Sequence, residues 1–308
     1  MTKRITTPFD ARSTGDDVIA GVDLTGRRAI VTGGAAGLGR ETARVLASAG
    51  ADVTVAARGL DAARATAREI AGSSVHAARL DLADLGSVAD FVKNWVGPLH
   101  ILVNNAGVMA TPEQRTPEGR ELQFATNHLG HFALATGLHD ALKAAGDARV
   151  VVLSSVGHVN GPVRFDDPDF TRDPYDPWLA YSQSKTATIL FAVEAARRWA
   201  ADGIAVNALN PGRIWGTNLS RYVEAPPQSF DPSGVTGVSE KNIAQGSATS
   251  ILLAASPLME GVTGKYFEDC QEAEPFTPGV RRGVADYALD PGNARRLWDL
   301  SEALVAPH

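Results

Sequence analysis

The segment VTGGAAGLGR, Val31 to Arg40, joins a β-rich run, RAIVT from Arg28, to a helical pattern reaching from about Leu38 to Ala49, with glycines at 33, 34, 37 and 39. Glycines in such a turn let backbone N–H groups approach a pyrophosphate at the positive end of the following helix. A glycine-rich turn can also serve chain reversal alone. Its place directly after a strand and directly before a helix is the context that a dinucleotide-binding reading demands.

Outward from that turn the chain alternates short β-rich runs with longer helical patterns. DVTVA follows, then a helix to about Ala71, SVHAARL and HILVN; a helical region from about Glu118 to Ala145 leads to ARVVVLSS, a helix through Tyr181 to about Ala201, and IAVNALN. Such alternation implies an α/β fold with a doubly wound, mostly parallel sheet of about seven strands and helices on both faces. No composition break divides the chain, so one domain over about 26–270 is expected, with an N-terminal arm (1–25) and a C-terminal extension (271–308). In the arm, STGDDVIAG reads as a short helix with Thr14 and Asp17 at capping-box spacing and Gly21 as its stop. The stretches 157–178 and 213–237 are rich in Pro and polar residues and read as loops, and long loops usually carry function.

Composition excludes several classes. Of 308 residues 44% are hydrophobic, enough for a substantial core, and 29 Lys plus Arg against 35 Asp plus Glu leave a net charge of −6 with no basic stripe. Nucleic acid is therefore not an expected partner. The lone Cys270 allows no intrachain disulfide and reads as a small packing residue. MTKRITTPFDARSTGDD lacks the apolar core of a signal peptide, and no run approaches the ~18 apolar residues of a membrane span, so a cytoplasmic protein without membrane insertion is expected.

The spacing Thr32, Gly33, Gly37, Gly39 resembles the short-chain dehydrogenase/reductase family. Further motifs agree in order: LDL at Leu80 to Leu82, NNAG at Asn104 to Gly107, ATNHLGHF with Asn127, VVVLSS with its serines, YSQSK with Tyr181 and Lys185, and NPG at Asn210 to Gly212. The resemblance spans about Gly26 to Phe267 and, through NNAGVM, NHLGHF and AYSQSK, is strongest to the retinol-dehydrogenase-like branch. It implies a Rossmann fold, a small-molecule substrate and a homo-oligomer as one option. It also implies cofactor contacts from Gly33, Ala36, Gly37, Leu38, Gly39, Asp81, Leu82, Asn105, Ala106, Gly107, Tyr181, Lys185, Pro211, Gly212, Ile214 and Thr217. Thr217 is six residues beyond Pro211, one more than the family's usual spacing, so that contact is the least defined.

Tyr181 and Lys185 are four residues apart on one helix, where i and i+4 share a face. Interconversion of carbonyl and alcohol needs a proton moved at the oxygen, and a free phenol titrates near ~10, too high for a base at neutral pH. A cation within ~4 to 6 Å lowers that value, so Tyr181 is expected as acid/base with Lys185 as its activator. By resemblance Lys185 also binds the nicotinamide ribose, Asn127 helps hold a water in a proton relay, and a serine orients the substrate oxygen. Ser154 and Ser155 are adjacent at a strand end and face opposite ways. Ser155 lies 26 residues before Tyr181, about twice the wider family's separation; the retinol-dehydrogenase-like branch shares that insertion and uses the second serine, so Ser155 is expected to serve.

His128 and His131, three apart, read as core or capping residues and not as zinc ligands; His158 reads either as a solvated loop residue or as a substrate contact. Trp215, Tyr222 and Phe230 on the variable loop suggest an apolar substrate. The tail from Glu274 reads as a cap over substrate or an oligomer contact. No acid follows DVTVAAR where an NAD-selective site places one; Ala57 stands there, and Arg58, with Arg40 as a second cation, can bind a 2′-phosphate. NADP(H) is therefore expected over NAD(H). Two other readings stand beside this one: a noncatalytic dinucleotide-binding regulator, which would need none of the proton chemistry, and a carbon–carbon double-bond reductase, for which a cysteine near the site is missing.

Overall fold

Runs of Val, Ile, Leu and Ala without polar alternation suit strands covered on both faces, and they form the centre of the computed structural model, which describes residues 4–70, 74–214, 217–223 and 240–306. Among these residues β1 (Arg28–Thr32), β2 (Asp52–Ala57), β3 (Val75–Arg79), β4 (Ile101–Asn104), β5 (Arg149–Leu153), β6 (Ala205–Asn210), β7 (Tyr266–Glu268) and β8 (Gln271–Glu272) make one sheet ordered β3-β2-β1-β4-β5-β6-β7-β8. Seven strands run parallel; β8 alone turns back on β7. Asp269 (φ 51) and Cys270 (φ 60) form that turn, both left-handed as a two-residue hairpin loop with right-handed strand twist requires. Cys270 is buried beside the Thr249 hydroxyl at 3.6 Å, and burial pushes its thiol up to about 11, so it packs as expected.

The helices are α1 (Gly15–Ile19), α2 (Gly37–Ser48), α3 (Leu60–Glu69), α4 (Leu85–Lys93), α5 (Leu122–Phe124), α6 (Gly130–Gly137), α7 (His139–Ala145), α8 (Pro177–Trp199), α9 (Ile243–Ala255), α10 (Asp286–Leu289) and α11 (Pro291–Val305). The sheet separates two apolar layers. Ala29 and Val31 of β1 face the layer built with α1, α2 and α9, whereas Ile30 faces the layer with α6, α8 and the Trp298 ring of α11. None of the described helices is long and apolar enough to cross a membrane.

Three expectations needed correction. The unbroken helix from Glu118 to Ala145 begins at Leu122, where the buried Glu121 carboxylate caps it by accepting from Gln123 N (2.9 Å) and Phe124 N (2.7 Å). It passes through a π turn at Ala125–Leu129 and stops before α7. The stretch 157–178 is not all loop: a 3-10 helix spans Val156–Asn160, and α8 starts at Pro177 with Asp176 as its cap. His158 is neither solvated nor a substrate contact. It is fully buried, its Nδ1 donating to Ser155 O (2.7 Å) and its Nε2 accepting from Ala285 N (3.2 Å).

Both chain ends are tied to the sheet. The capping box of α1 forms as Thr14 and Asp17 suggest, and upstream of it Ile5 exchanges backbone and side-chain bonds with Glu272 on β8. The C-terminal segment docks on the short helix after β5 through Ala285, through Tyr287 Oη donating to His158 O (2.6 Å) and through Arg281. His128 and His131 are core residues, as read from sequence; His128 Nε2 meets Ser301 Oγ of α11 at 2.7 Å.

Burial holds three histidines neutral: His128 is pushed down to about 3, His131 to about 4 and His158 to about 4. Each takes up a proton in the unfolded chain near the ordinary 6.5 but not in the fold. Stability should therefore fall as pH drops below about 6.5, by about 1.4 kcal/mol per pH unit for each histidine until its folded value is passed. Urea midpoints at successive pH values test this: wild type should weaken steeply toward pH ~4, and His158→Gln should show a shallower slope. A midpoint flat over that range would remove the buried neutral histidines as the cause.

Candidate functional site

Strand order reverses between β1 and β4, so the loops at their carboxyl ends diverge and leave a crevice. A cavity of about 730 Å³ opens there. Its floor is fixed by Thr32 at the end of β1, whose Oγ1 accepts from Asn105 N (2.9 Å) and Ala106 N (3.0 Å) while Asn105 Nδ2 donates back to Thr32 O (2.7 Å).

Beside Thr32 the glycine turn takes the conformation its sequence demands. Gly33 (φ 65) and Gly37 (φ 53) are left-handed, and a Cβ on Gly39 would stand 2.4 Å from Gly33 O and 2.4 Å from Asn105 Nδ2. The backbone can pass this closely only with glycine at that point. Helix α2 opens at Ala36, which offers no side-chain cap, in contrast to Asp84 on α4 and Asp176 on α8. Its first N–H groups and its positive end are left to an external acceptor. This arrangement fits a dinucleotide pyrophosphate.

The cavity collects most of the residues singled out from sequence. Gly33, Leu38 and Gly39 line it at the glycine turn, Arg58 after β2, and Asp81 and Leu82 after β3. Asn105, Ala106 and Gly107 line it after β4, and Pro211, Gly212, Ile214 and Thr217 after β6. Thr217 reaches the glycine turn: its Cγ2 would lie 3.7 Å from a Cβ on Gly37. Ala36 and Gly37 form the turn without lining the cavity. Of the aromatic residues assigned to the variable loop, Tyr222 lines the cavity, whereas Trp215 and Phe230 lie outside the described residues. Arg40, read as a second cation, is exposed and pairs with Glu69 at 2.6 Å.

Toward the other end, α8 carries Tyr181 and Lys185 into the cavity wall together with Ser155. Tyr181 is 4% exposed; burial pushes its phenol up to about 12, and the neighbouring Ser155 hydroxyl opposes that rise. Lys185 Nζ lies 5.8 Å from the centre of the Tyr181 ring and donates to Leu153 O (3.0 Å), and burial pushes it down to about 8. The expected lowering of the phenol by the lysine does not emerge: desolvation dominates both groups, and only Ser155 opposes it at the phenol. The two serines do part as strand geometry requires. Ser154 Oγ is buried and donates to Lys185 O (2.7 Å), whereas Ser155 Oγ accepts from Gly157 N (3.0 Å) at the start of the short helix.

Asn127, in the π turn, is buried behind the cavity wall. Its Oδ1 accepts from Val108 N (2.8 Å), and its Nδ2 donates to Val108 O (2.9 Å) and Ser184 Oγ (2.9 Å). A Cβ on Gly107 would lie 3.1 Å from Asn127 Oδ1 and 3.7 Å from Lys185 Nζ, so glycine keeps this gap open. Sequence reasoning missed Ser184, whose only mark was its place inside YSQSK, and also Asn160 and Arg281, which line the cavity and carry no motif. Among the described residues no cluster of His, Cys, Asp and Glu could hold a metal.

A doubly wound sheet with an uncapped glycine turn and a cleft at its switch point is the architecture of a dinucleotide-binding protein. Residues 27–227 match the short chain dehydrogenase family. A "Probable oxidoreductase" of Streptomyces lividans is 56% identical over 90% of this chain and 97% of its own, and retinol dehydrogenase 13 of Homo sapiens is 37% identical over 92% and 85%. A gluconate 5-dehydrogenase from Burkholderia cenocepacia, solved in complex with NADP and tartrate, superposes with a TM-score of 0.65 at 25% identity, covering 80% of this chain and 94% of that one. The chain belongs to the short-chain dehydrogenase/reductase family of NAD(P)-dependent oxidoreductases, with retinol dehydrogenases among its relatives.

The glycine turn yields a test of its own. Gly39→Ala drives a methyl group into the backbone of Gly33, which cannot move aside as a flexible side chain would. A stability loss of about 1–3 kcal/mol is expected, with weaker dinucleotide binding. Thermal melting and a fluorescence titration with NADPH measure both, and an unchanged variant would mean the turn is not the constrained cradle described.

Proposed function

We propose that the protein is an NADP(H)-dependent oxidoreductase that interconverts a carbonyl and an alcohol on an apolar small molecule. The observation that carries this reading is the buried Tyr181 phenol beside the Ser155 hydroxyl, with the Lys185 ammonium 5.8 Å from its ring, in the wall of a 730 Å³ cavity. Apolar side chains of Met109, Leu122, Trp178, Leu179 and Leu219 contribute to that cavity, which is in keeping with an apolar substrate.

In this reading Tyr181 gives its proton to the carbonyl oxygen during reduction and takes it back during oxidation. When bound, the nicotinamide supplies or accepts the hydride. The high phenol value suits the acid role, since the proton stays on Tyr181 until a more basic oxygen forms beside it. For the reverse direction the phenolate needs positive charge nearby, which Lys185 supplies once it is protonated. Ser155 Oγ is turned toward the phenol and can donate to the substrate oxygen as charge develops there. Asn127 has both amide atoms committed to Val108 and Ser184, so its role is to hold the 107–108 backbone beside Lys185.

The preference for NADP(H) rests on Arg58. It is exposed at the cleft directly after β2, and among the described residues no ion pair or hydrogen bond engages its side chain, so it is free to meet a 2′-phosphate. A double-bond reductase using a thiol is disfavoured because Cys270 is packed under the β7–β8 turn, and a purely regulatory binder would have no use for the Tyr181–Ser155 pair.

Screening NADPH oxidation against aldehydes and ketones, with NADP reduction against the matching alcohols, is the direct assay. Tyr181→Phe should bind the dinucleotide as wild type does yet lose at least ~10² in turnover. Ser155→Ala should lose most of the activity and Ser154→Ala little; the reverse order would assign the oxygen contact to the other serine. Wild type should favour NADPH over NADH in kcat/KM, and Arg58→Ala should erase most of that preference. Discrimination surviving in the variant would show that the phosphate is read elsewhere.

A further inference from the structure

The short helix Val156–Asn160 touches both side chains at the substrate end of the cleft. At its start Ser155 Oγ accepts from Gly157 N (3.0 Å), which fixes the hydroxyl oxygen and leaves its proton to be given away. A Cβ on Gly157 would stand 2.9 Å from Cε1 and 3.1 Å from Cδ1 of the Tyr181 ring, so the helix backbone lies directly against the phenol. A shift of this helix therefore moves the serine oxygen and the surface on which the tyrosine ring rests together.

His158 fastens the helix from the inside. Its Nδ1 lies 2.7 Å from Ser155 O, a carbonyl that can only accept, and its Nε2 lies 3.2 Å from Ala285 N, a backbone group that can only donate. The two contacts together require a neutral ring with its proton on Nδ1. That ring is fully buried and meets the Tyr266 ring edge-on, with centres 5.1 Å apart. The main chain of the residue is held as well: His158 O accepts from Tyr287 Oη (2.6 Å) and from Thr186 Oγ1 of α8 (3.2 Å). Thr186 Oγ1 and Ser182 Oγ also donate to Gly161 O, at 2.8 and 3.2 Å, so α8 grips the far end of the helix. His158 is the member of this set that reaches back to the serine.

We infer that His158 is a positioning residue, a role that rests on the reading of the cleft as a carbonyl–alcohol site: tied to Ala285 and Tyr287 of the C-terminal extension, its neutral imidazole holds the main chain of Ser155 so that the serine hydroxyl meets the substrate oxygen beside Tyr181. The ring acts through the serine and does not itself line the cavity. Its two bonds can be separated by substitution. Asn places an amide N–H near Nδ1 and can keep the bond to Ser155 O; Gln places an amide oxygen near Nε2 and can keep the bond from Ala285 N; Phe keeps a buried ring and loses both.

Turnover is followed with NADPH and decanal, benzaldehyde or acetophenone, for each His158 variant in the wild-type and in the Ser155→Ala background. His158→Phe should lower kcat roughly tenfold, the scale of a misplaced oxygen contact, with NADPH affinity unchanged. His158→Asn should recover most of that loss and His158→Gln little, while the two melt at similar temperatures. In the Ser155→Ala background the same changes should alter kcat by less than about twofold, because the group through which they act is gone. Nitrogen NMR of histidine-labelled protein supplies a measurement free of turnover: the His158 signals, identified by their absence from the variants, should show a proton on Nδ1 and none on Nε2. A proton on Nε2, rescue by Gln as full as by Asn, or a loss in the Ser155→Ala background as large as in wild type overturns the inference and leaves the carbonyl reading standing. Wild type that consumes none of the three carbonyls, or that is no more active than Tyr181→Phe, overturns the carbonyl reading, and the positioning role falls with it even where the imidazole carries its proton on Nδ1.

Discussion

A neutral imidazole joins the two halves of the cleft. His131 Nδ1 lies 3.0 Å from Asn127 O, a carbonyl that can only accept, so Nδ1 carries the proton and Nε2 is left to accept from Thr32 Oγ1 at 2.9 Å. Thr32 in turn accepts from the backbone of Asn105 and Ala106. One chain of bonds therefore runs from the glycine turn after β1, across the loop after β4, to the π turn that carries Asn127. It works only while the imidazole is neutral, and burial, by pushing His131 down to about 4, keeps it so. Because the loops diverge beyond the paired ends of β1 and β4, the strand ladder does not set the width of the crevice; these side chains do.

The same desolvation acts with a different result on α8. Tyr181 and Lys185 are both buried, and each is driven toward its uncharged form, the phenol up and the ammonium down. The two shifts oppose the simple picture of a lysine that activates its tyrosine. A pair in this condition gains most from any added negative charge, which would favour the protonated lysine, and from any developing oxyanion beside the phenol. Proton affinity in the cleft thus depends on what else occupies it.

Much of the cleft was legible in the sequence because its parts are local. A glycine that must adopt a positive φ, a phenol and an ammonium one helical turn apart, and two serines on opposite sides of a strand are fixed by backbone geometry within a few residues. The apolar runs of β1, β2, β4, β5 and β6 were equally clear, since a strand covered on both faces has nowhere to put a polar residue. What escaped depends on contacts between distant segments. His158 looks like a loop residue by its neighbours, yet Ala285 and Tyr287 from the far end of the chain enclose it. The pairing of Arg40 with Glu69, 29 residues on, likewise leaves no mark in the sequence. The π turn at Ala125–Leu129 has no composition mark, because it differs from an α-helix by one residue in hydrogen-bond register.

The C-terminal extension is a further case of contact between distant segments. It touches the wall of the cleft through the short helix that follows Ser155: Ala285 and Tyr287 grip His158, and Arg281 grips Asn160. Ser155 caps the start of that helix through Gly157 N, and its carbonyl receives the His158 proton. The segment that holds Ser155 is therefore one on which the extension rests. The helices α10 and α11 of the extension also pack against α8, so the wall that carries Ser155 and the helix that carries Tyr181 and Lys185 are both braced by a part of the chain that no motif covers. What the motifs encode locally is thus held in place by residues beyond them.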